Sequence, residues 1–195
     1  MSKIYIQGTF GAYSHLAALE IDPNAEVIPC KTFDECFIKT STENNSQMVI
    51  PESNRITGNI GIEYLIFKHR LNIYAEHFQK IEHNLLGQQG ASLDDIKDVY
   101  SHTQGLSQCS NFIKKNNFVE HIRADTAGSA ESISKKKIKS EAAIASSLSA
   151  KIYKLKILAP NIENEKSNTT RFLIMGKEVY QPDFKDKKYI TSFLF

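Results

Sequence analysis

The sequence predicts an α/β protein of two lobes around a cleft, and three observations carry that prediction. Short apolar runs alternate with helix-period segments along the whole chain, the pattern of folds built on mainly parallel strands. A longer extended segment near residues 71–86 divides this alternation into two similar halves. A last apolar strand near 170–175 then returns after the second half and supplies a second connection. The boundaries read as about 1–76 plus the return for the first lobe and about 77–170 for the second. The halves share an arrangement, with no sequence repeat between them.

Each element has its own signal. Strands are expected near 3–8, 26–29 and 47–50, with two helices between them. The second of these helices opens with Thr32 and Glu35 at capping-box spacing and places Phe33, Cys36, Phe37 and Thr40 on one face. A third helix follows Gly58, over residues 59–69. After the strand at 71–86, Ser92 caps a short turn, Val99 and Tyr100 begin a strand, and one helix is expected from Thr103 to Lys115. Further strands fall at 118–122, 142–145 and 156–158, and further helices at 126–136 and 146–154.

Composition narrows the classes of function. With 195 residues, 41% of them apolar, the chain can build a proper core. A net charge of +2 is too balanced to attract nucleic acid by electrostatics alone. The basic run Lys135-Lys136-Lys137-Ile138-Lys139 lies between apolar segments and reads as a solvated helix end. Three cysteines, Cys30, Cys36 and Cys109, are an odd number without metal-ligand spacing. Neither a disulfide framework nor a metal site is indicated, and a reducing, cytoplasmic setting is expected. No apolar run approaches the length of a signal peptide or a membrane span.

The polar clusters fall at strand-to-helix junctions, where exposed helix amides and the positive dipole end favour anions. The first junction runs from Gly8 to His15 and includes Gly11 and Ser14; a plain tight turn explains the same residues. The second carries Ser101, His102 and Thr103, then Gln104, Gln108 and Asn111 on one face and Leu106, Cys109 and Ile113 on another. It can bind a polar ligand or be an ordinary wet helix. His102 has neither a cysteine nor a carboxylate beside it, so a nucleophilic triad is unsupported. Asp125-Thr126-Ala127-Gly128 is a third junction, capped by Asp125 or Thr126. The fourth, Pro51 to Gly58, carries Glu52, Asn54 and Arg55, or is simply an exposed loop. Near the end, Asn168-Thr169-Thr170-Arg171-Phe172 sets two hydroxyls and a guanidinium at the mouth of an apolar strand. That suits an anionic substrate, and equally an ordinary strand with a solvated arginine.

Taken in this order, the segments resemble the catalytic domain of the prephenate dehydratase family over nearly the whole chain. The likeness rests on Gln7-Gly8 with Gly11 to His15, Pro51 with Asn54 and Gly58, and Tyr100-Ser101-His102 with Gln104 and Gln108-Cys109. It continues through Asp125 to Gly128, Ala142 to Ser146, and Asn168 to Phe172. The resemblance implies a fold like the type II periplasmic binding proteins and the conversion of prephenate to phenylpyruvate in phenylalanine biosynthesis. It implies no metal and no organic cofactor. The catalytic positions carry over to Thr170, Asn54, Gln104 and Gln108, with Thr170 donating a hydrogen bond to the departing hydroxyl. The substrate-binding positions carry over to Ser101, His102, Thr126, Ala127, Gly128, Arg171, Phe172, Gly11 and Ser14. Arogenate is the closest alternative substrate. A two-lobed binding or sensory protein that keeps the cleft without the chemistry is the alternative class.

Two departures from the family pattern shape the expectations. Residues 181–195, from Lys188 to Phe195 above all, resemble only the first strand of the phenylalanine-binding ACT domain that usually follows. Feedback inhibition through that site is therefore expected to be absent, and an unpaired apolar strand points to a homodimer. The family loop reads proline, an aliphatic residue, then Glu-Asn-Ser, with a glycine seven positions after the proline. Counting from Pro51 to Gly58 puts Glu52 at the aliphatic position, Ser53 at the glutamate and Arg55 at the serine. If the segment is extended, Glu52 faces away from the place the glutamate should occupy, and slow turnover is expected.

Overall fold

A computed structural model describes residues 2–178. The first lobe contains β1 (Lys3–Gln7), α1 (Tyr13–Ile21), β2 (Glu26–Cys30), α2 (Phe33–Thr42), β3 (Ser46–Asn54), β4 (Gly58–Asn59), α3 (Glu63–His69) and β5 (Asn72–Lys80). The second contains β6 (Asn84–Gly87), a 3-10 turn at Leu93–Asp95, β7 (Asp98–Ser101), α4 (Thr103–Gln108), α5 (Ser110–Lys115) and β8 (Val119–Ile122). It continues with α6 (Thr126–Lys136), β9 (Glu141–Ala145), α7 (Ser147–Ile152) and β10 (Lys156–Ala159), after which β11 (Thr169–Gly176) returns to the first lobe.

The two sheets share one topology. In the first, the order is β2-β1-β3-β11-β5, with β4 paired to β3; in the second it is β10-β6-β9-β7-β8. The central strands β1, β2 and β3 are parallel, as are β7, β8 and β9. One antiparallel strand lies beside each parallel trio, β11 next to β3 and β6 next to β9. Both are the strands by which the chain enters a lobe from the other one. The result is a two-lobed α/β fold of the type II periplasmic-binding-protein kind.

Helices cover both faces of each sheet. On the first sheet, Ile4, Ile6, Val49, Phe172 and Ile174 pack with Ala17 and Ala18 of α1. Tyr5, Met48, Ile50, Leu173 and Met175 face the other way, against Cys36 and Phe37 of α2. Strands buried on both faces read as nearly continuous apolar runs, which is why this sheet is legible in the sequence. Asp125 begins α6 by accepting a hydrogen bond from the Gly128 amide at 2.6 Å, and Thr32 does the same for Glu35 at 3.1 Å. The Glu35 carboxylate reaches back to the Lys31 amide, one residue before the cap.

Three sequence expectations are corrected. The strand expected over 71–86 is two strands in different sheets, broken at 81–83. The Ile81 amide bonds the Asn168 carbonyl and the His83 amide bonds Glu163, so the other crossing claims these groups. Strand-forming residues on both sides conceal the switch. The helix expected over 59–69 starts at Glu63, because Gly58 and Asn59 first pair back onto β3. The helix expected over Thr103–Lys115 is two, divided at Cys109. Asn164 causes that break: its side chain bonds the Ser107 carbonyl and the Asn111 amide, and its own amide bonds the Gln108 carbonyl at 2.7 Å. Gln104, Gln108 and Asn111 therefore do not form one carboxamide face. The expectations for residues 181–195 lie outside the described residues.

The lobes touch at Gly11. Its carbonyl accepts the hydroxyls of Ser146 (2.6 Å) and Ser149 (2.9 Å), while Tyr153 donates to the Phe10 carbonyl. Gly11 has φ +91°, and a Cβ there would lie 2.5 Å from Ser149 Oγ and 3.0 Å from Ser149 Cα. Gly61 has φ +81° with nothing within 4 Å. Gly11→Ala is expected to cost about 2–4 kcal/mol of unfolding free energy, and Gly61→Ala only about 1 kcal/mol. Urea titration of both variants checks this; equal losses would mean that the lobe contact contributes nothing.

Candidate active site

The site begins with strand register. Thr170 lies opposite Asn54 and Arg171 opposite Ser53, but Phe172 lies opposite Pro51, so Glu52 is an extra residue bulged out of β3. A bulge shifts side-chain alternation by one. Without it, Asn54 and Pro51 would face opposite ways; with it, both line the same cleft as Thr170 and Phe172.

Asn54 is held in one orientation. Its Oδ1 accepts the backbone amides of Ile56 (2.9 Å) and Thr57 (3.1 Å), which can only donate. Its Nδ2 must then face the other way, where it donates to Thr170 Oγ1 at 2.8 Å and Asn168 Oδ1 at 2.9 Å. Thr170 thus receives a hydrogen bond on its oxygen and keeps its own hydrogen for the cleft. Asn168 in turn donates to Gln108 Oε1 at 3.1 Å, and the same oxygen lies 2.8 Å from His83 Nε2. His83 Nδ1 lies 3.0 Å from the Tyr13 hydroxyl, which also reaches the Glu82 carbonyl at 2.8 Å. One polar chain therefore runs from Thr170 in the first lobe through Gln108 in the second and back to Tyr13.

These groups line an inter-lobe cleft of about 510 Å³, a volume suited to a small organic ligand. The first residues of three helices reach it: Tyr13 and Ser14 of α1, Gln104 at the start of α4, and Thr126 at the start of α6. The first amides of a helix have no intrahelical acceptor, and its dipole is positive there. Among the described lining residues there is no Lys or Arg, and Asp125 is the one carboxylate, already capping α6. Phe33, Pro51, Ile60, Ile81 and Phe172 supply apolar walls. Ser14, Gln104 and Thr126 line the cleft with side chains that make no hydrogen bond among the described residues. Burial lowers the pKa of His83, keeping the ring neutral near pH 7, and pushes the Tyr13 phenol well up. No group of three or more potential metal ligands occurs among the described residues.

The structure brings most of the expected site residues together and not others. Asn54, Thr170, Gln104 and Gln108 line the cleft, as do Ser14, His102, Thr126 and Phe172. His102 Nδ1 accepts the Gln104 amide and so caps α4. Gly11, Ser101, Ala127, Gly128 and Arg171 are not among the lining residues. Gly11 makes the lobe contact, and Ser101 is fully buried with its hydroxyl on the Ile144 carbonyl at 2.7 Å. Ala127, in the first turn of α6, is fully buried, and the Gly128 amide serves the Asp125 cap. Arg171 alternates to the opposite face of β11, where Nε bonds Glu76 at 2.7 Å and Nη1 lies 3.4 Å from Glu52. Ser53 donates to the same Glu52 oxygen at 2.6 Å. Neither Glu52 nor Ser53 lines the cleft. Sequence reasoning missed His83 and left Tyr13 and Asn168 inside their motifs without a role; for His83, the polar pair His83-Asn84 interrupting an apolar stretch was the available signal.

A family model described as prephenate dehydratase matches residues 4–180. The chain is 40% identical over 195 residues to arogenate dehydratase/prephenate dehydratase 1, chloroplastic, of Arabidopsis thaliana, covering 99% of this chain and 49% of the relative. The chain spans about half the length of the curated relatives it matches. Among solved structures it is similar to a quorum-quenching acylase, GqqA, with TM-score 0.85 and 32% identity over 92% of this chain and 65% of that one. It is also similar to the prephenate dehydratase of Staphylococcus aureus, with TM-score 0.79 and 27% identity over 92% of this chain and 67% of that one.

The buried imidazole gives stability a pH dependence with a definite sign. Because the His83 pKa is lowered on folding from 6.5, the unfolded chain takes up a proton that the folded chain refuses. Stability is complete above that value and falls as pH drops below it, by at most ~1.4 kcal/mol per pH unit for one group. His83→Gln should reduce the loss measured by urea unfolding between about pH 7 and pH 5.5. An unchanged acid slope would contradict this.

Proposed function

The chain belongs to the prephenate dehydratase family, and from that premise we propose that its cleft converts prephenate to phenylpyruvate in phenylalanine biosynthesis. Arogenate, which would give phenylalanine directly, is the alternative substrate. The observation that carries the reading is the orientation of Thr170. Its oxygen is occupied by Asn54 Nδ2 at 2.8 Å, so its hydrogen is directed at whatever fills the cleft.

The reaction needs little else. The bond from the ring to its carboxylate breaks, its electron pair enters the ring, and the ring hydroxyl departs. Carbon dioxide leaves, and the departing oxygen takes one proton to become water. Aromatisation supplies the driving force. A threonine hydroxyl is too weak an acid to give up its proton readily, but its hydrogen bond strengthens as charge grows on the leaving oxygen. The substrate's two carboxylates suit the three helix starts and the free Ser14, Gln104 and Thr126 side chains, which attract anions without a cation. Arg171 is not the carboxylate holder in this reading, because Glu76 and Glu52 occupy it on the far face. Amide hydrolysis, suggested by the acylase relative, finds less support. The imidazoles of His83 and His102 bond Gln108, Tyr13 and the Gln104 amide, and among the described residues neither makes a hydrogen bond with a serine or cysteine side chain.

The geometry also changes the meaning of the altered loop. Ser53 faces Arg171 and away from the cleft, while the bulged Glu52 supplies a carboxylate to that arginine. We therefore propose that the Glu-to-Ser departure removes no cleft group. A homodimer is proposed too, supported by β5, which has β11 as its one partner strand among the described residues and carries Phe78 at 60% exposure. Light scattering across a concentration series tests it. A cytoplasmic location is supported by three unpaired cysteines and is checked by cell fractionation.

Folded protein incubated with prephenate should form phenylpyruvate faster than buffer does. A rate equal to buffer, tried also with arogenate, removes the enzyme reading; binding without turnover in calorimetry would leave a two-lobed binding protein. Thr170→Val should lower kcat by about a hundred- to a thousand-fold. Asn54→Asp should do nearly the same, because a carboxylate can only accept and would claim the Thr170 hydrogen. Wild-type kcat in Asn54→Asp would refute the orientation argument. Ser53→Glu should change kcat by less than about threefold, given that a positioned acid-base group would be worth a hundredfold or more. A tenfold rise would reinstate the slow-turnover expectation.

A further inference from the structure

His83 lies in the three residues where the chain first crosses between lobes, at 3% exposure and lining the cleft. The second crossing holds its backbone on both sides. Its amide donates to Glu163 Oε2 at 2.9 Å, and its carbonyl accepts the Ile162 amide at 2.9 Å. The ring is thus placed by backbone, independently of any ligand.

Its tautomer follows from the neighbouring amides. Asn54 is oriented by the Ile56 and Thr57 amides, so Asn168 must turn its oxygen to Asn54 and its NH2 to Gln108. The atom of Gln108 facing both Asn168 and His83 is therefore the oxygen. Reversing Gln108 would set two NH2 groups against each other. An oxygen at 2.8 Å requires a donor, so His83 carries its proton on Nε2, and the one hydrogen of the Tyr13 hydroxyl is shared between the bare Nδ1 at 3.0 Å and the Glu82 carbonyl at 2.8 Å. Tyr13 meets the ring edge-on, with centroids 5.5 Å apart, and remains a neutral phenol. The lowered pKa agrees with a single ring proton.

Gln108 is consequently clamped by its oxygen, from Asn168 on one side and His83 on the other. Its NH2 makes no hydrogen bond among the described residues, and Gln108 lines the cleft. We propose that His83 is a positioning residue that fixes Gln108 as a donor to a substrate carboxylate, a role resting on the dehydratase reading. Such a contact is made equally in the bound substrate and the transition state, so it acts on KM.

Two measurements test this, and they fail separately. In wild-type protein, 15N NMR of the histidine rings should show one buried imidazole protonated at Nε2 and bare at Nδ1 near pH 7. The reverse tautomer would overturn the clamp whether or not the protein is an enzyme. In kinetics, His83→Phe keeps the ring's bulk and removes the donor, and should raise KM about tenfold with kcat within about threefold. His83→Gln can return an N–H to the Nε2 position and should restore KM to within about threefold of wild type. If both variants match wild type, or if His83→Gln fails to restore KM in a protein that melts like wild type, the proposal is wrong. Should His83→Phe not fold, the wild-type tautomer and the Gln variant decide it. Absence of wild-type turnover with the expected tautomer would sink the dehydratase reading and leave the clamp standing.

Discussion

The site depends on the pairing of β11 with β3, and within that pairing on one extra residue. β11 enters the first lobe antiparallel to β3 and β5 and brings Thr170 to the edge of the cleft. The bulge at Glu52 then turns Asn54 to the same side, opposite Thr170. On the far face, Arg171 gathers Glu76, Glu52 and, through Glu52, Ser53. The charged cluster and the Thr170–Asn54 pair proposed for catalysis are two sides of one strand, so neighbouring residues of one motif face different surroundings.

From that pair, orientation spreads by the logic of donors and acceptors. Backbone amides at Ile56 and Thr57 set Asn54, which sets Asn168, which sets Gln108, which sets the His83 tautomer. Each carboxamide has one face for accepting and one for donating, so the direction cannot reverse midway without an unpaired group. The chain includes residues of both crossings, His83 and Asn168, so it also ties the cleft's chemistry to the connection between lobes. In the proposed reaction, anion recognition has a separate source, the starts of α1, α4 and α6, and requires no cationic side chain in the cleft.

Much of this was legible in the sequence because it is local. Apolar runs buried on both faces marked β1, β3 and β11, Thr32 and Asp125 marked helix starts, and the ordered motifs placed Asn54, Gln108 and Thr170 at one site. What escaped was decided by distant partners. Nothing within residues 71–86 shows that Ile81 and His83 are claimed by Asn168 and Glu163, and nothing near Cys109 shows that Asn164 will divide the helix. Arg171 was assigned to the ligand because it adjoins Thr170 in sequence; alternation along a strand sends it the other way. The bulge was invisible for the same reason, since register is a property of two strands and a sequence window contains one.

The most direct test of the central claim is the structure of the protein with a ring-saturated prephenate analogue, which keeps both carboxylates and the ring hydroxyl but cannot become aromatic. The ring hydroxyl oxygen should lie about 2.7–2.9 Å from Thr170 Oγ1, with Asn54 Nδ2 still on the other side of Oγ1. Both carboxylates should meet helix-start amides or the Gln108 and Thr126 side chains. A ring hydroxyl more than about 4 Å from Thr170, with Arg171 swung into the cleft onto a carboxylate, would contradict it.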